Sequence, residues 1–193
     1  MSQPLMTVDY RRATREDSAF IQGVARHLWV RQNNPDAKMF CRWLERYMAG
    51  DNCHHGVCHT HFLITREGVP VGHIAEYLYD RQVRWGADGW CKLCYLGFDV
   101  HPDYWGQGIM KSALRRYISD GFNEDRFKHL IAECLTTNAR SKRLLEGLGF
   151  EPVQVGSFDQ FRHMWKYKGL IPKARYCYSH ERWSEQVMQK SND

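Results

Sequence analysis

Apolar side chains recur three and four residues apart in three stretches of this chain, and each stretch predicts a helix. The first follows Thr14 and Asp17, which resemble a capping box, and carries Phe20, Ile21, Val24, Ala25 and Leu28. The second starts at Asn34-Pro35, where proline suits the first helical position, and carries Met39, Phe40, Trp43, Leu44, Tyr47 and Met48. The third runs from Gly108 to Ser119, with Met110, Ala113, Leu114, Tyr117 and Ile118 on one face and Lys111, Arg115 and Arg116 outward. Shorter runs predict strands: 61–65 and 71–77 joined by a turn at Arg66-Glu67-Gly68, then 92–100 and 129–135. Residues 138–148 predict a short helix ended by Gly149. The stretch from Val153 to His180 reads as two last strands around a loop from Lys166 to Lys173.

A strand–helix–strand unit of this length implies a parallel pair with a right-handed crossover. Joined to the antiparallel meander before it, the unit predicts an α/β fold: a mixed, mostly antiparallel sheet with one parallel strand pair and flanking helices. The 193 residues fit one domain, 1–193, with no repeat, low-complexity tract or linker to divide them. Ligands of such sheets sit at the carboxyl ends of the parallel strands. Gly106-Gln107-Gly108 falls at that place, directly before the third helix. Glycines there admit a ligand close to the backbone, and the helix start offers unpaired N–H donors and a partial positive charge. Together they make a site for a pyrophosphate.

Two common pyrophosphate loops are excluded. A P-loop needs Lys-Ser/Thr after its last glycine, whereas Gly108 is followed by Ile109-Met110. A dinucleotide loop needs three glycines and an acidic end to the next strand, which here ends in Leu135-Thr136-Thr137. The segments Tyr95-Leu96-Gly97-Phe98-Asp99-Val100, Tyr104-Trp105-Gly106-Gln107-Gly108, Asn138-Ala139-Arg140-Ser141 and Leu148-Gly149-Phe150 instead resemble the GNAT N-acetyltransferase superfamily in order and spacing. Trp-Gly-Gln-Gly, with Ser141 three residues after Asn138, looks most like the RimJ/RimL-type branch, which acetylates ribosomal protein N-termini. Asp103 departs from the arginine or glutamine of many members and removes one phosphate partner.

The resemblance implies an acetyl-CoA-dependent N-acetyltransferase. Gly106, Gln107, Gly108, Ile109 and Met110 would hold the pyrophosphate through backbone donors, with Lys111 adding charge. The strand edge at Phe98, Asp99 and Val100 would pair with the pantetheine amides, and a backbone donor near Val100 would stabilise the oxyanion. Asn138 would bond the pantetheine arm, cap its helix, or do both. Ser141 occupies the position of the branch's proposed acid toward the leaving thiolate. Members that use a tyrosine place it where this chain has Leu145.

The acceptor amine must lose its proton. An α-amine near pKa 8 needs less help than a lysine near 10.4, which favours a protein N-terminus. Glu133 and Glu76 are the candidate general bases. A small amine such as an aminoglycoside or polyamine is the alternative, and would call for converging carboxylates from among Asp36, Glu45, Asp51, Glu76 and Asp88. A non-catalytic acyl-CoA sensor is a reading from another class, and aminoacyl-tRNA as acceptor would need a contiguous basic surface.

Net charge is +5, which suits an anionic ligand such as CoA without requiring nucleic acid. Seven cysteines with no evident export signal read as reduced cytoplasmic thiols. No run is long and apolar enough to span a membrane, so no membrane partner is expected; the chain would act as a monomer or homodimer. Cys53-His54-His55-Gly56-Val57-Cys58-His59-Thr60-His61 carries metal-ligand types, with Cys91 and Cys94 as possible additions, but the spacing matches no standard zinc site, and no metal is expected. Trp85, Trp90 and Trp105 read as core or cleft lining.

Overall fold

The computed structural model describes residues 7–27, 30, 37–54, 56–85, 89–153 and 173–191. Ten strands run through it: β1 (Val8–Arg12), β2 (Cys53–His54), β3 (Val57–Arg66), β4 (Val69–Tyr79), β5 (Val83–Arg84), β6 (Trp90–Cys91), β7 (Leu93–Val100), β8 (His129–Leu135), β9 (Glu151–Val153) and β10 (Lys173–Ser179). Among the described residues the full α-helices are α1 (Ser18–Arg26), α2 (Ala37–Met48), α3 (Ile109–Asn123), α4 (Ala139–Glu146) and α5 (His180–Ser191). The main sheet has the order β1-β3-β4-β7-β8-β10-β9, with β2 paired to β3, while β5 and β6 form a separate hairpin. Every pairing is antiparallel except β7 with β8. The predicted mixed sheet and its parallel pair are present. No described helix is long and apolar enough to cross a membrane.

The apolar periodicities explain the layers. Ala113, Leu114, Tyr117 and Ile118 of α3 are buried against Phe62, Ile64, Ile74, Cys94, Leu96, Leu130 and Ala132 on one sheet face. Full burial of a side chain such as Leu114 contributes about 1.5–3 kcal/mol. The other face packs Leu63 and Ala75 against Ile21 and Ala25 of α1 and Phe40, Cys41 and Leu44 of α2. Ile131 adds to the apolar run of β8 because helices and loops cover both faces of a parallel strand. Leu28 and the Asn34-Pro35 start signal lie outside the described residues, as do the side chain of Met39 and most of the Lys166–Lys173 loop.

Several expectations are corrected. β1 was not predicted: it is an edge strand whose Asp9, Arg11 and Arg12 are exposed, so its apolar alternation is weak. α5 was not predicted either; Trp183 packs on the larger core while Val187 and Met188 stay exposed. Cys53 and Cys58 are joined in a disulfide across the β2–β3 pairing, so not all seven cysteines are thiols. The expectation failed because adjacent antiparallel strands bring these two Cα atoms within 4.0 Å, a neighbourhood that spacing alone does not reveal. Cys41, Cys91, Cys94, Cys134 and Cys177 are outside any disulfide. Trp90 is 69% exposed rather than core or cleft lining, because it stands on the two-residue strand β6.

The parallel ladder is short. It pairs Leu93 with His129 through Leu96 with Ala132 and stops there, while β7 continues to Val100 along β4. Beyond Leu96 the edge of β7 that faced β8 has no strand partner. The opening lies at the carboxyl ends of both strands.

Candidate active site

A cavity of about 570 Å³ fills that opening, a volume within the usual range for a small-molecule site. Phe98, Asp99 and Val100 line it from β7, and Gly106, Gly108, Ile109, Met110 and Lys111 line it from the loop and the start of α3. Asn138 and Ser141 line it from the start of α4, together with Arg140, Arg143 and Leu144. Gln107 is the exception among the expected loop residues: its side chain donates to the Asp103 carbonyl at 3.1 Å and accepts from Arg66. The loop adopts the required shape because Gly106 and Gly108 both have positive φ, 76° and 74°, a region costly for other residues. Gly108 is the residue before the first turn of α3, and the amides of Ile109, Met110 and Lys111 have no carbonyl a turn earlier to bond.

Trp105 joins the parts of the rim. Its indole N–H donates to the Val100 carbonyl at 2.8 Å, and the Arg140 guanidinium lies 4.6 Å from its ring centroid. Strand end, glycine loop and α4 are thereby tied together. Asn138 caps α4: its amide oxygen accepts from the Ser141 backbone N–H at 3.2 Å and its amide nitrogen donates to Ser141 Oγ at 2.9 Å. Lys111, Arg140 and Arg143 give the lining three cations and suit a polyanion.

The expected bases sit elsewhere. Glu76 is buried on the α3 face, where it accepts from Tyr117 Oη at 2.6 Å and Arg126 Nη1 at 2.7 Å. Glu133 is on the sheet face opposite α3 and does not line the cavity; it accepts from Arg175 Nε at 2.7 Å. Asp99, expected only to pair through its backbone, is the cavity's own carboxylate. It makes no side-chain hydrogen bond or ion pair among the described residues, and burial pushes it up to about 6. Directly across the ladder stands His73, whose Nε2 is 3.1 Å from His61 Nδ1. Burial keeps His59, His61 and His73 below the ordinary imidazole range. Charge-neutral imidazoles behind Asp99 leave its carboxylate without a counter-ion among the described residues. Sequence reasoning missed this role because burial on one face of a strand end carries no compositional signal.

The Cys–His cluster resolves into packing. With Cys53 and Cys58 in a disulfide, His59 and His61 lie on one face of β3 against Trp43, Phe40 and Tyr47 of α2. His55 lies outside the described residues. Among the described residues no three His, Cys, Asp or Glu side chains are placed to share a metal ion.

Residues 8–151 match the acetyltransferase (GNAT) domain family. The chain belongs to the GNAT family. Its domain is accordingly an acetyl-CoA-dependent N-acetyltransferase domain, and the free edge of β7, the orphan amides and the cationic lining fit that co-substrate. The chain is 34% identical over 59 residues to the FsC-acetyl coenzyme A-N(2)-transacetylase of Aspergillus fumigatus, a match covering 31% of this chain and 25% of that protein. It thus spans a quarter of the length of the curated relative it matches. The fold resembles an aminoglycoside N(6')acetyltransferase from Legionella pneumophila at TM-score 0.70 and 12% identity, covering 93% of this chain and 95% of that one. It also resembles RimL, a ribosomal L7/L12 alpha-N-protein acetyltransferase in complex with coenzyme A, at TM-score 0.65 and 14% identity, over 90% and 94%. At such identities the two structures speak for the fold of this GNAT chain and not for its acceptor.

Proposed function

We propose that this protein, treated as one domain over residues 1–193, transfers the acetyl group of acetyl-CoA to a primary amine, with a protein N-terminal α-amine as the preferred acceptor. The observation that supports the reading is the Asp99 carboxylate at the free strand edge, unpartnered among the described residues. Ionised at neutral pH, Asp99 takes the proton of the attacking amine as the C–N bond forms. Backbone donors at the edge hold the oxyanion. The C–S bond then breaks, and Ser141 Oγ, which already accepts from Asn138, has its own proton available to hydrogen-bond the leaving thiolate. The thiolate then takes up, through solvent, the proton that Asp99 received, so the products are an N-acetyl amide and CoA thiol and Asp99 returns to its ionised form.

The preference for an α-amine over a polyamine or aminoglycoside is supported by the scattered carboxylates. Glu45 is exposed on α2, Asp51 is paired with Arg46, and Glu76 lies on the opposite face. Asp36 and Asp88 lie outside the described residues. A pocket for a polycation needs several such groups in one place. The test is thiol release from acetyl-CoA against a panel of N-terminal peptides, aminoglycosides and polyamines. Turnover confined to peptides bears the proposal out. Turnover of a small amine replaces the acceptor, and tight CoA binding with no turnover favours a sensor.

A further inference from the structure

Two glycines stand in the central ladder, and only one is explained by packing. A Cβ on Gly72 of β4 would lie 2.6 Å from the Asp99 carbonyl oxygen, so the close approach of β7 demands glycine there. Gly97 of β7 is different. Its φ lies outside the left-handed region, and a Cβ would meet only Ala75 Cβ at 3.6 Å and Tyr77 Cε2 at 3.8 Å, ordinary contacts. The fold would accept alanine there, and glycine inside a strand weakens it. A ligand passing close to the backbone explains the vacancy.

The surroundings identify the ligand's side of the site. Gly97 shares its face with Tyr95 and Asp99 on β7 and, by register, with Ala75 and Tyr77 on β4. It is the first residue of β7 past the end of the parallel ladder, level with Glu133, which follows Ala132 on β8. Glu133 is matched by Arg175, whose guanidinium also lies 5.9 Å from the Tyr95 ring centroid. A bare backbone step is therefore framed by two tyrosines, one neutralised ion pair and the Asp99 carboxylate. Gly97 is not part of the cavity lining assigned to the donor.

We infer that Gly97 is the floor of the acceptor channel: the amine-bearing segment of the acceptor crosses its Cα between Tyr95 and Asp99. The acceptor class is a primary amine on a slender, uncharged segment, such as the first residues of a peptide. Framing rings and a compensated ion pair favour amide and apolar atoms over a chain of ammonium groups. The inference rests on the amine-acetylation reading above and adds a residue that selects the substrate.

The test compares wild type with Gly97→Ala and Gly97→Val in the full chain. Expected are an unchanged Kd for CoA by calorimetry, a melting temperature for Gly97→Ala at or above that of wild type, and an acceptor KM raised about tenfold by alanine, the scale of one methyl group in a fitted site, and further by the bulkier valine. Unchanged acceptor KM in both variants overturns the inference, and so does lost CoA affinity, which would assign the space to the donor. A Gly97→Cys variant is labelled with N-ethylmaleimide, against a wild-type control for Cys177. Rapid labelling in the presence of saturating CoA supports an open channel on the acceptor side, and protection overturns it. If wild type acetylates no amine, the activity reading fails by itself while the labelling still decides the channel.

Discussion

Asn138 holds Ser141 by two bonds, one to its backbone N–H at 3.2 Å and one to its Oγ at 2.9 Å. The same side chain therefore starts α4 and aims the hydroxyl proposed to face the leaving thiolate. Asn138→Asp keeps the acceptor but loses the donor to Oγ, whereas Asn138→Ala loses both. Alanine is expected to cost about 1 kcal/mol of stability, while aspartate leaves the melting temperature near wild type. Both, with Ser141→Ala, are expected to lower kcat. Thermal melts beside steady-state kinetics separate the capping from the chemistry; equal kcat in all four proteins would remove Ser141 from the reaction.

As the proposed base, Asp99 would set the acid limb of the rate. With its carboxyl held up to about 6, protonation below that pH removes the base, so kcat/KM should fall more steeply as pH drops through 6, below the shallower limb that the acceptor amine's own deprotonation near 8 imposes. Asp99→Asn should lower kcat/KM by roughly a hundred- to ten-thousandfold and erase that limb. A pH–rate profile in which the limb survives the substitution would transfer the role to another group.

The three buried histidines of β3 and β4 make the fold acid-sensitive. His59, His61 and His73 titrate below 6.5 in the folded protein, His61 at about 3. The unfolded chain binds protons in a window where the folded chain cannot, so this stability is full above 6.5 and is lost as pH falls from there toward 3. Asp99 works the other way, since its raised value favours the protonated folded state. The slope of melting temperature against pH should therefore flatten in His61→Gln, and a slope unchanged from wild type would contradict the assignment.

Reduction should loosen the β2–β3 hairpin without touching the donor site. Cys53 and Cys58 close a short loop, five residues apart, worth about 2 kcal/mol by chain entropy. Cys58→Ser is expected to lower the melting temperature by several degrees and leave the Kd for CoA unchanged. Calorimetry on the variant, with a reductant-treated wild type alongside, measures both.

What was legible in the sequence is what repeats locally. The stripe Met110–Ile118, the alternation in β3 and β4, and the glycine loop all declare themselves within a dozen residues, and so the sheet, the crossover and the donor loop were readable. Contacts that join distant segments were not. Glu133 was a reasonable base until Arg175, 42 residues later, is seen to bind it, and Glu76 until Tyr117 and Arg126 close over it. Asp99 reads as a strand-end residue until the cavity forms around it. The charged β1 and the sparse apolar stripe of α5 hide for a related reason: both are fixed more by what they pack against than by their own pattern.

The early end of the β7–β8 ladder has a kinetic consequence. Between Leu96 and Val100 the described sheet lacks the strand that would finish its edge, and in the proposed reaction the pantetheine arm would fill the place. Until it does, the side of the acceptor route away from β4 is unbuilt. Addition of substrates should then follow a compulsory order, acetyl-CoA first and the amine second, with the desacetyl product CoA leaving last. Initial-rate patterns with CoA as competitive inhibitor against acetyl-CoA, and noncompetitive against the amine, are the signature of that order.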